Sequence, residues 1–140
     1  MEVYINYWAV LGAAVASMVV GFLWYGVLFR KKWMALMGYT PETMGQMKMT
    51  ANQAYLLQFI ASLLMAFILS HALVSAKAYL GSSGVSAGFA IGFWNWLGFV
   101  VPVSLGAVLW ENRPWSLWLI NASSYLVTLV VMGIILSLWG

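Results

Sequence analysis

The stretch YLVTLVVMGIILSLWG, residues 125–140, contains no charged residue and no regular alternation of polar and apolar side chains. A strand of a membrane β-barrel needs that alternation, so the stretch predicts a helix instead. A helix that crosses a bilayer takes roughly 20 apolar residues. Four stretches are long enough, about 4–29, 53–75, 84–110 and 115–138. The sequence therefore predicts an all-α fold, a four-transmembrane-helix bundle in one integral membrane domain, 1–140.

The composition points to the same class of protein. The chain is 64% hydrophobic and 6% charged, whereas a soluble domain carries about a quarter charged residues. The absence of cysteine excludes disulfides, thiol catalysis and cysteine metal sites. The net charge of +3 comes from six basic residues, and their positions have a topological explanation. We therefore expect the lipid bilayer as a partner, and no nucleic acid.

The basic residues predict the orientation of the chain. The 30–52 connection carries Arg30, Lys31, Lys32 and Lys48, the 111–114 connection carries Arg113, and the 76–83 connection carries only Lys77. The positive-inside rule then places 30–52 and 111–114 in the cytoplasm and both termini outside. This predicts a multi-pass protein of the inner (plasma) membrane. Tryptophans near the helix ends are expected to anchor at the membrane interface, among them Trp24, Trp33, Trp110 and Trp115.

Within 30–52, Thr40-Pro41-Glu42 is typical of a helix start, with a hydroxyl cap, a proline in the first turn and an acid. It predicts a short interfacial helix ahead of the second span.

Small residues recur along three of the four predicted spans. They follow a four-residue spacing, as Ala9, Ala13, Ser17 and Gly21, then Ser62, Ala66 and Ser70, then Gly84, Gly88 and Gly92. On a straight α-helix, Gly98, Pro102 and Gly106 fall on the same side as Gly88, Gly92 and Asn95. Small residues let membrane helices approach closely. Because Pro102 has no N–H, the Gly98 carbonyl is expected to need another donor.

The fourth span carries a polar stripe of Asn121, Ser124, Tyr125 and Thr128. The simplest arrangement turns this stripe towards Asn95 and gives an amide contact that joins the two helices. The alternative is a polar lining for a substrate or ion path.

Few residues are candidates for chemistry. His71 is the single histidine, and Glu111 and Arg113 flank the inner end of the third span. We interpret all three as interface residues; the alternative is an ion or cofactor contact. The methionines of the first connection are soft copper ligands, but a cytoplasmic loop without cysteine favours a packing role. No nucleophile–base pair, carboxylate dyad, zinc spacing or phosphate loop occurs, so we expect no catalytic residue, metal, cofactor or enzyme activity.

A short internal echo joins the first and third spans. GFLWYGVLF (21–29) is similar to GFWNWLGFVV (92–101), and under the predicted topology both segments run in the same direction. The echo is consistent with a duplicated two-helix unit, as in parallel-repeat transporters.

Four blocks carry a resemblance to a known family. GFLWYGVLFRKKWM (21–34), WLGFVVP (96–102), LWENRPWSLWLIN (109–121) and LVVMGIILSLW (129–139) together resemble the small bacterial membrane proteins of domain of unknown function 1761. The resemblance implies a four-helix membrane protein and no particular activity. The motif positions are Trp24, Tyr25, Trp33, Gly98, Pro102, Glu111, Arg113 and Asn121. Val27 stands where the family commonly has proline, which makes a kink there less expected, and Asn112 stands where it often has glycine.

Assembly is the function that this sequence favours. Small-residue faces on three helices indicate a homo-oligomer or an accessory subunit of a larger membrane complex. One alternative is a small oligomeric transporter or channel for ions or small cations, lined by Asn95, Asn121, Glu111 and His71. Another is pigment or cofactor binding through His71.

Overall fold

A computed structural model describes residues 4–139, and every regular element among them is helical. The α-helices are α1 (Tyr7–Gly21), α2 (Arg30–Met37), α3 (Pro41–Gly45), α4 (Ala51–Leu80), α5 (Gly84–Asn95), α6 (Val101–Ser104), α7 (Gly106–Leu109) and α8 (Trp115–Trp139). Four continuous stretches are long and apolar enough to cross a membrane, Tyr7–Leu28, Ala51–Leu80, Gly84–Leu109 and Trp115–Trp139. We call them the first to fourth spans. The structure confirms the all-α class and the four helices; the predicted positions of the chain ends, Met1 and Gly140, lie outside the described residues.

The connection between the first two spans is more helical than predicted. It contains α2, which begins at Arg30 and ends where Gly38 adopts a φ of 76°. The helix predicted from Thr40-Pro41-Glu42 is α3, and reciprocal bonds close its N-terminus. The Thr43 N–H donates to the Thr40 hydroxyl at 3.2 Å, and the Thr40 N–H donates to the Thr43 hydroxyl at 2.7 Å. The second span then continues to Leu80, beyond the predicted end at residue 75, until Gly81 adopts a φ of 66°.

Two of the spans contain a π-helical segment, Phe22–Leu28 in the first span and Trp96–Val100 in the third. Each segment holds a Trp-X-Gly sequence, with Trp24 and Gly26 in one and Trp96 and Gly98 in the other. The two segments fall where the sequence shows its internal echo. Val27, where the resemblance made a kink less expected, lies in the first of them, so the helix is not a regular α-helix there.

The π segment of the third span corrects the predicted glycine face. A π turn takes up about one more residue than an α turn, which rotates everything after it by roughly 100°. Gly88 and Gly92 before the segment are buried, whereas Gly98 and Pro102 within and after it are exposed. One continuous face along the whole third helix is therefore wrong, because the prediction assumed an uninterrupted α-helix.

The fourth span, α8, lies at the centre of the bundle. It packs on the first span and on α5, and the first span packs in turn on α4. Ala13 and Ala66 are fully buried, and the Ser17 hydroxyl donates to the Ser62 hydroxyl at 2.8 Å. The small-residue faces of the first two spans therefore meet each other within the chain. By contrast, only 6% of the most apolar stretch of the third span is buried inside the bundle, against 44% for the fourth span.

The end of the bundle opposite α2 is closed by polar contacts to the last turn of α8. The Lys77 ammonium donates to the Ser137 carbonyl at 3.0 Å, and the Asn6 amide donates to the Trp139 carbonyl at 3.2 Å. The Ser137 hydroxyl donates to the Gly84 carbonyl at 2.7 Å. Lys77 and Asn6 thereby satisfy carbonyls of the last turn of α8, which a helix C-terminus leaves without intrahelical partners. Lys77, the single basic residue of the 76–83 connection, is therefore engaged in the fold.

Asn112 adopts a backbone conformation that favours glycine, the residue that the resemblance implies at this position. It turns the chain between the third and fourth spans with a φ of 56°, and it is the single non-glycine residue with positive φ among residues 4–139. Glycine adopts this conformation freely, and asparagine is one of the few other residues that tolerate it. Asparagine is thus compatible with this turn, as is the glycine that the resemblance implies here.

We expect Asn112→Val to lower the free energy of unfolding by about 1–2 kcal/mol, because a β-branched residue is strained at positive φ. Asn112→Gly should leave it nearly unchanged. The measurement is the midpoint of thermal unfolding in mild detergent. Equal midpoints for the valine and glycine variants would contradict the turn geometry.

Candidate functional site

Two glycines of α5 touch the backbone of α8. A Cβ atom at Gly88 would lie 2.5 Å from the Gly133 carbonyl oxygen, and one at Gly92 would lie 2.6 Å from the Leu129 carbonyl oxygen. No real Cβ atom tolerates such distances, so these positions accept glycine alone. The result is a close helix pair, and it fixes α8 against the part of the third span that precedes the π segment.

Side-chain donors from two spans converge on the second turn of α8. The Trp24 indole N–H donates to the Ile120 carbonyl at 3.0 Å, and the Trp96 indole N–H donates to the Ala122 carbonyl at 2.7 Å. Both tryptophans belong to the Trp-X-Gly sequences of the π segments. Between the two carbonyls, the Asn121 amide oxygen accepts from the Tyr25 hydroxyl at 2.8 Å. Trp24, predicted as an interface anchor, is thus half-buried against α8.

The predicted contact between Asn95 and the polar stripe of the fourth span is wrong. The Asn95 amide donates to the Ile91 carbonyl of its own helix at 2.8 Å. Asn121 is paired with Tyr25 instead. The physical reason is local competition, because an asparagine side chain can reach the carbonyl one turn before it.

The rest of the polar stripe lines a cavity. This space of about 570 Å³, the inner cavity, lies between the first, second and fourth spans and is bordered by α2 and Met44 of α3. Among its lining residues are Ser17, Tyr25, Arg30, Gln58, Met65 and Thr128. Ser124 and Tyr125 also line it. The stripe predicted to face the third helix therefore faces the first and second spans.

The remaining predicted contact residues do not meet at one place. His71 Nδ1 lies 2.8 Å from the Phe67 carbonyl oxygen, and the two rings are 4.5 Å apart. Glu111 and Arg113 are exposed in the turn after α7, where the Arg113 backbone N–H donates to the Ala107 carbonyl at 3.0 Å. Residues 4–139 contain no group of three side chains that could hold a metal ion. The ion path predicted along Asn95, Asn121, Glu111 and His71 therefore has no common lining.

The predicted interface anchors lie at the end of the bundle that carries α2. Arg30 and Trp33 line the inner cavity, and the Trp33 ring packs against Tyr25 and Tyr39 at 5.5 and 5.4 Å. Lys31 and Lys32 are exposed. Trp110 and Trp115 are exposed on either side of the 111–114 turn. The anchors thus cluster where two helix pairs are joined.

The third span leaves a backbone acceptor without a donor in its own helix. The N–H groups that can bond to the Leu97 carbonyl in α- or π-helical geometry belong to residues 101 and 102. The Val101 N–H donates to Trp96 instead, and Pro102 has no N–H. We define the third-span surface as Trp94, Leu97, Gly98, Pro102 and Val103, all of which are exposed.

Two features of the site escape sequence reasoning. The inner cavity draws its lining from separate helices at unrelated spacings, and no single motif reveals it. The π segments had a weak signal, namely the Trp-X-Gly sequence in both halves of the internal echo.

Comparison with known proteins gives a family and no activity. The profile of the family described as protein of unknown function (DUF1761) matches residues 8–137, nearly the whole chain. No curated protein and no solved structure matches the chain. The family match covers nearly all of the four spans and both charged connections. The chain therefore belongs to the DUF1761 family of proteins of unknown function.

Proposed function

We propose that the protein acts by assembly in the membrane, and that its unit is a homodimer joined through the third-span surface. The observation that carries this proposal is the Leu97 carbonyl. It lies in the middle of Gly84–Leu109, and a backbone group without a partner at that depth costs several kcal/mol. Lipid tails offer no donor there. A protein partner does.

A second copy of this chain supplies a suitable donor. The Trp94 indole is 63% exposed, and it lies three residues before Leu97, on the same side of the helix. In a two-fold dimer, Trp94 of each copy donates to the Leu97 carbonyl of the other. Such a surface is complementary to itself, as two-fold symmetry requires. Gly98 has no side chain, and within one copy a Cβ atom there would meet nothing within 4 Å. The backbone of a second copy therefore has room to approach at this position.

The intramolecular packing favours this surface over the other small-residue faces. The faces of the first and second spans are already buried against each other at Ser17 and Ser62. Gly88 and Gly92 are in contact with α8. Of the faces that carry small residues, the third-span surface is therefore the one that remains free for a partner.

The proposed dimer lies in the inner (plasma) membrane, with both chain ends outside. The support is the clustering of Arg30, Lys31, Lys32, Lys48 and Arg113 in the connections at one end of the bundle. Cytoplasmic loops are enriched in such residues. In this orientation α3 lies at the cytoplasmic interface, and the two copies run parallel.

The dimer is tested with copies of the protein that carry donor or acceptor fluorophores in liposomes. Energy transfer between the copies is measured as the ratio of lipid to protein is raised. Trp94→Phe removes two hydrogen bonds per dimer at about 1 kcal/mol each. We expect the dissociation constant of the dimer to rise roughly 30-fold. Pro102→Ala restores an N–H near the Leu97 carbonyl, so it should also weaken the dimer while the monomer stays folded. Trp110→Phe, at a site 87% exposed near the end of the span, is the matched control.

Cysteine cross-linking locates the surface, because the natural chain has no cysteine. Gly98→Cys should form a disulfide-linked dimer in oxidised membranes, whereas Leu64→Cys, exposed at a similar depth on the second span, should not. Energy transfer no higher than that of a monomeric control at every dilution would refute the homodimer. A disulfide from Gly98→Cys to a different protein would contradict the homodimer and indicate a heteromeric complex instead.

A further inference from the structure

The inner cavity has the size and lining of a ligand site. Its volume of about 570 Å³ falls within the roughly 300–1,000 Å³ typical of small-molecule pockets. Four methionines line it, Met18, Met34, Met44 and Met65. Methionine side chains adapt to ligands of varied shape. Five aromatic rings complete the apolar wall, from Phe22, Tyr25, Trp33, Tyr55 and Tyr125.

Arg30 gives the cavity its charge. It is the single formally charged residue among those that line this space, and Lys31 and Lys32 beside it do not line it. A guanidinium group binds carboxylate or phosphate oxygens through paired hydrogen bonds. An anion is therefore the favoured charged ligand, whereas the transporter alternative considered from the sequence named ions or small cations.

The cavity has polar groups at two places. Arg30 lies at the connection end, in α2, and Ser17 lies thirteen residues earlier in the chain, in the first span. The deep end also has the hydroxyls of Ser124 and Thr128. Methionines and rings lie between them. Gly21 widens the passage, since a Cβ atom there would meet nothing within 4 Å.

We propose that the inner cavity binds a single-chain amphipathic organic anion. Its carboxylate or phosphate pairs with Arg30, and its aliphatic or aromatic body lies between the methionines and the rings. The same chemistry is present in an anionic membrane lipid. The volume favours a free single-chain molecule, because it matches one drug-sized ligand.

Three brominated probes with one tail test the head-group preference, namely 11-bromoundecanoate, 11-bromoundecanol and 11-bromoundecyltrimethylammonium. Bromine quenches tryptophan fluorescence, and Trp33 lies in the cavity wall. In nanodiscs of neutral lipid, we expect saturable quenching by the carboxylate that Trp33→Phe removes. Binding of the alcohol should be weaker, and binding of the cation weakest.

Two pairs of variants locate the binding. Arg30→Gln should weaken binding of the carboxylate probe about tenfold or more and leave binding of the alcohol unchanged. Lys31→Gln should change the affinity for neither probe. Gly21→Leu should block both probes by filling the passage, whereas Gly106→Leu, at a site with equal free space outside the cavity, should not.

The proposal is overturned if the three probes bind equally, if the cation binds best, or if Arg30→Gln has no effect. Loss of carboxylate binding in phosphatidylglycerol nanodiscs, but not in phosphatidylcholine nanodiscs, would make a lipid the occupant in place of a free amphiphile. None of these outcomes depends on the dimer, because the third-span surface does not line the cavity.

Discussion

Leucine in place of Gly88 is expected to separate α5 from α8 and to destabilise the protein by about 3 kcal/mol or more. The atoms nearest to a new Cβ are backbone atoms, the Gly133 oxygen and the Ile134 Cα, both at 2.5 Å. Overpacking normally costs about 1–3 kcal/mol, and a side-chain neighbour can rotate away to reduce that cost. A helix backbone cannot. Membrane helices are held together mainly by close packing and hydrogen bonds, so the displaced pair loses most of its attraction.

The measurement is unfolding in mixed micelles with increasing dodecyl sulfate, monitored by tryptophan fluorescence. Gly106→Leu is the matched control, because it introduces the same side chain in the same span where no atom lies within 4 Å. It should unfold close to the unmodified protein. Gly88→Ala should already unfold earlier, since its Cβ alone meets the carbonyl. A shared midpoint for Gly88→Leu and Gly106→Leu would show that the two backbones are not in contact.

The glycine face shows how far periodicity can predict a membrane fold. Spacing alone identifies Gly88 and Gly92 as packing positions, because they precede the π segment and lie on regular α-helix. Gly98 and Pro102 were assigned to the same face by the same arithmetic. The inserted residue of a π turn shifts the phase of everything after it. No residue type specifies such a turn uniquely, so the sequence predicts the packing of the span before the π segment and misplaces the residues within and after it.

The polar residues show a second limit. Sequence indicates that Asn95 and Asn121 need partners in lipid, because an unpaired amide is costly there. It does not indicate which partner wins. Asn95 bonds one turn back on its own helix, and Tyr25 reaches Asn121 from a span that is distant in sequence. The choice depends on helix rotation and side-chain length, which appear only once the bundle is assembled.

Ala66→Leu is expected to force the first and second spans apart, at a cost of about 2–3 kcal/mol. These spans are antiparallel, and the hydrogen bond from Ser17 to Ser62 sets their register. One turn further along, that register brings Ala66 beside Ala13, and neither residue has any exposed surface. A leucine in this pair has no free space to occupy. It must widen the helix separation and stretch the 2.8 Å bond between the serines.

Ala61→Leu separates this effect from any general effect of a larger side chain. Ala61 is exposed on the same helix, alanine and leucine have similar helix propensities, and lipid receives the leucine without strain. In the same dodecyl sulfate titration, Ala61→Leu should match the unmodified protein and Ala66→Leu should unfold well before it. If the order were reversed, the face of the second span that carries Ser62 and Ala66 would have to point to lipid. The Ser17–Ser62 contact would then be absent from the folded protein, and the inner cavity between these spans would lose one of its walls.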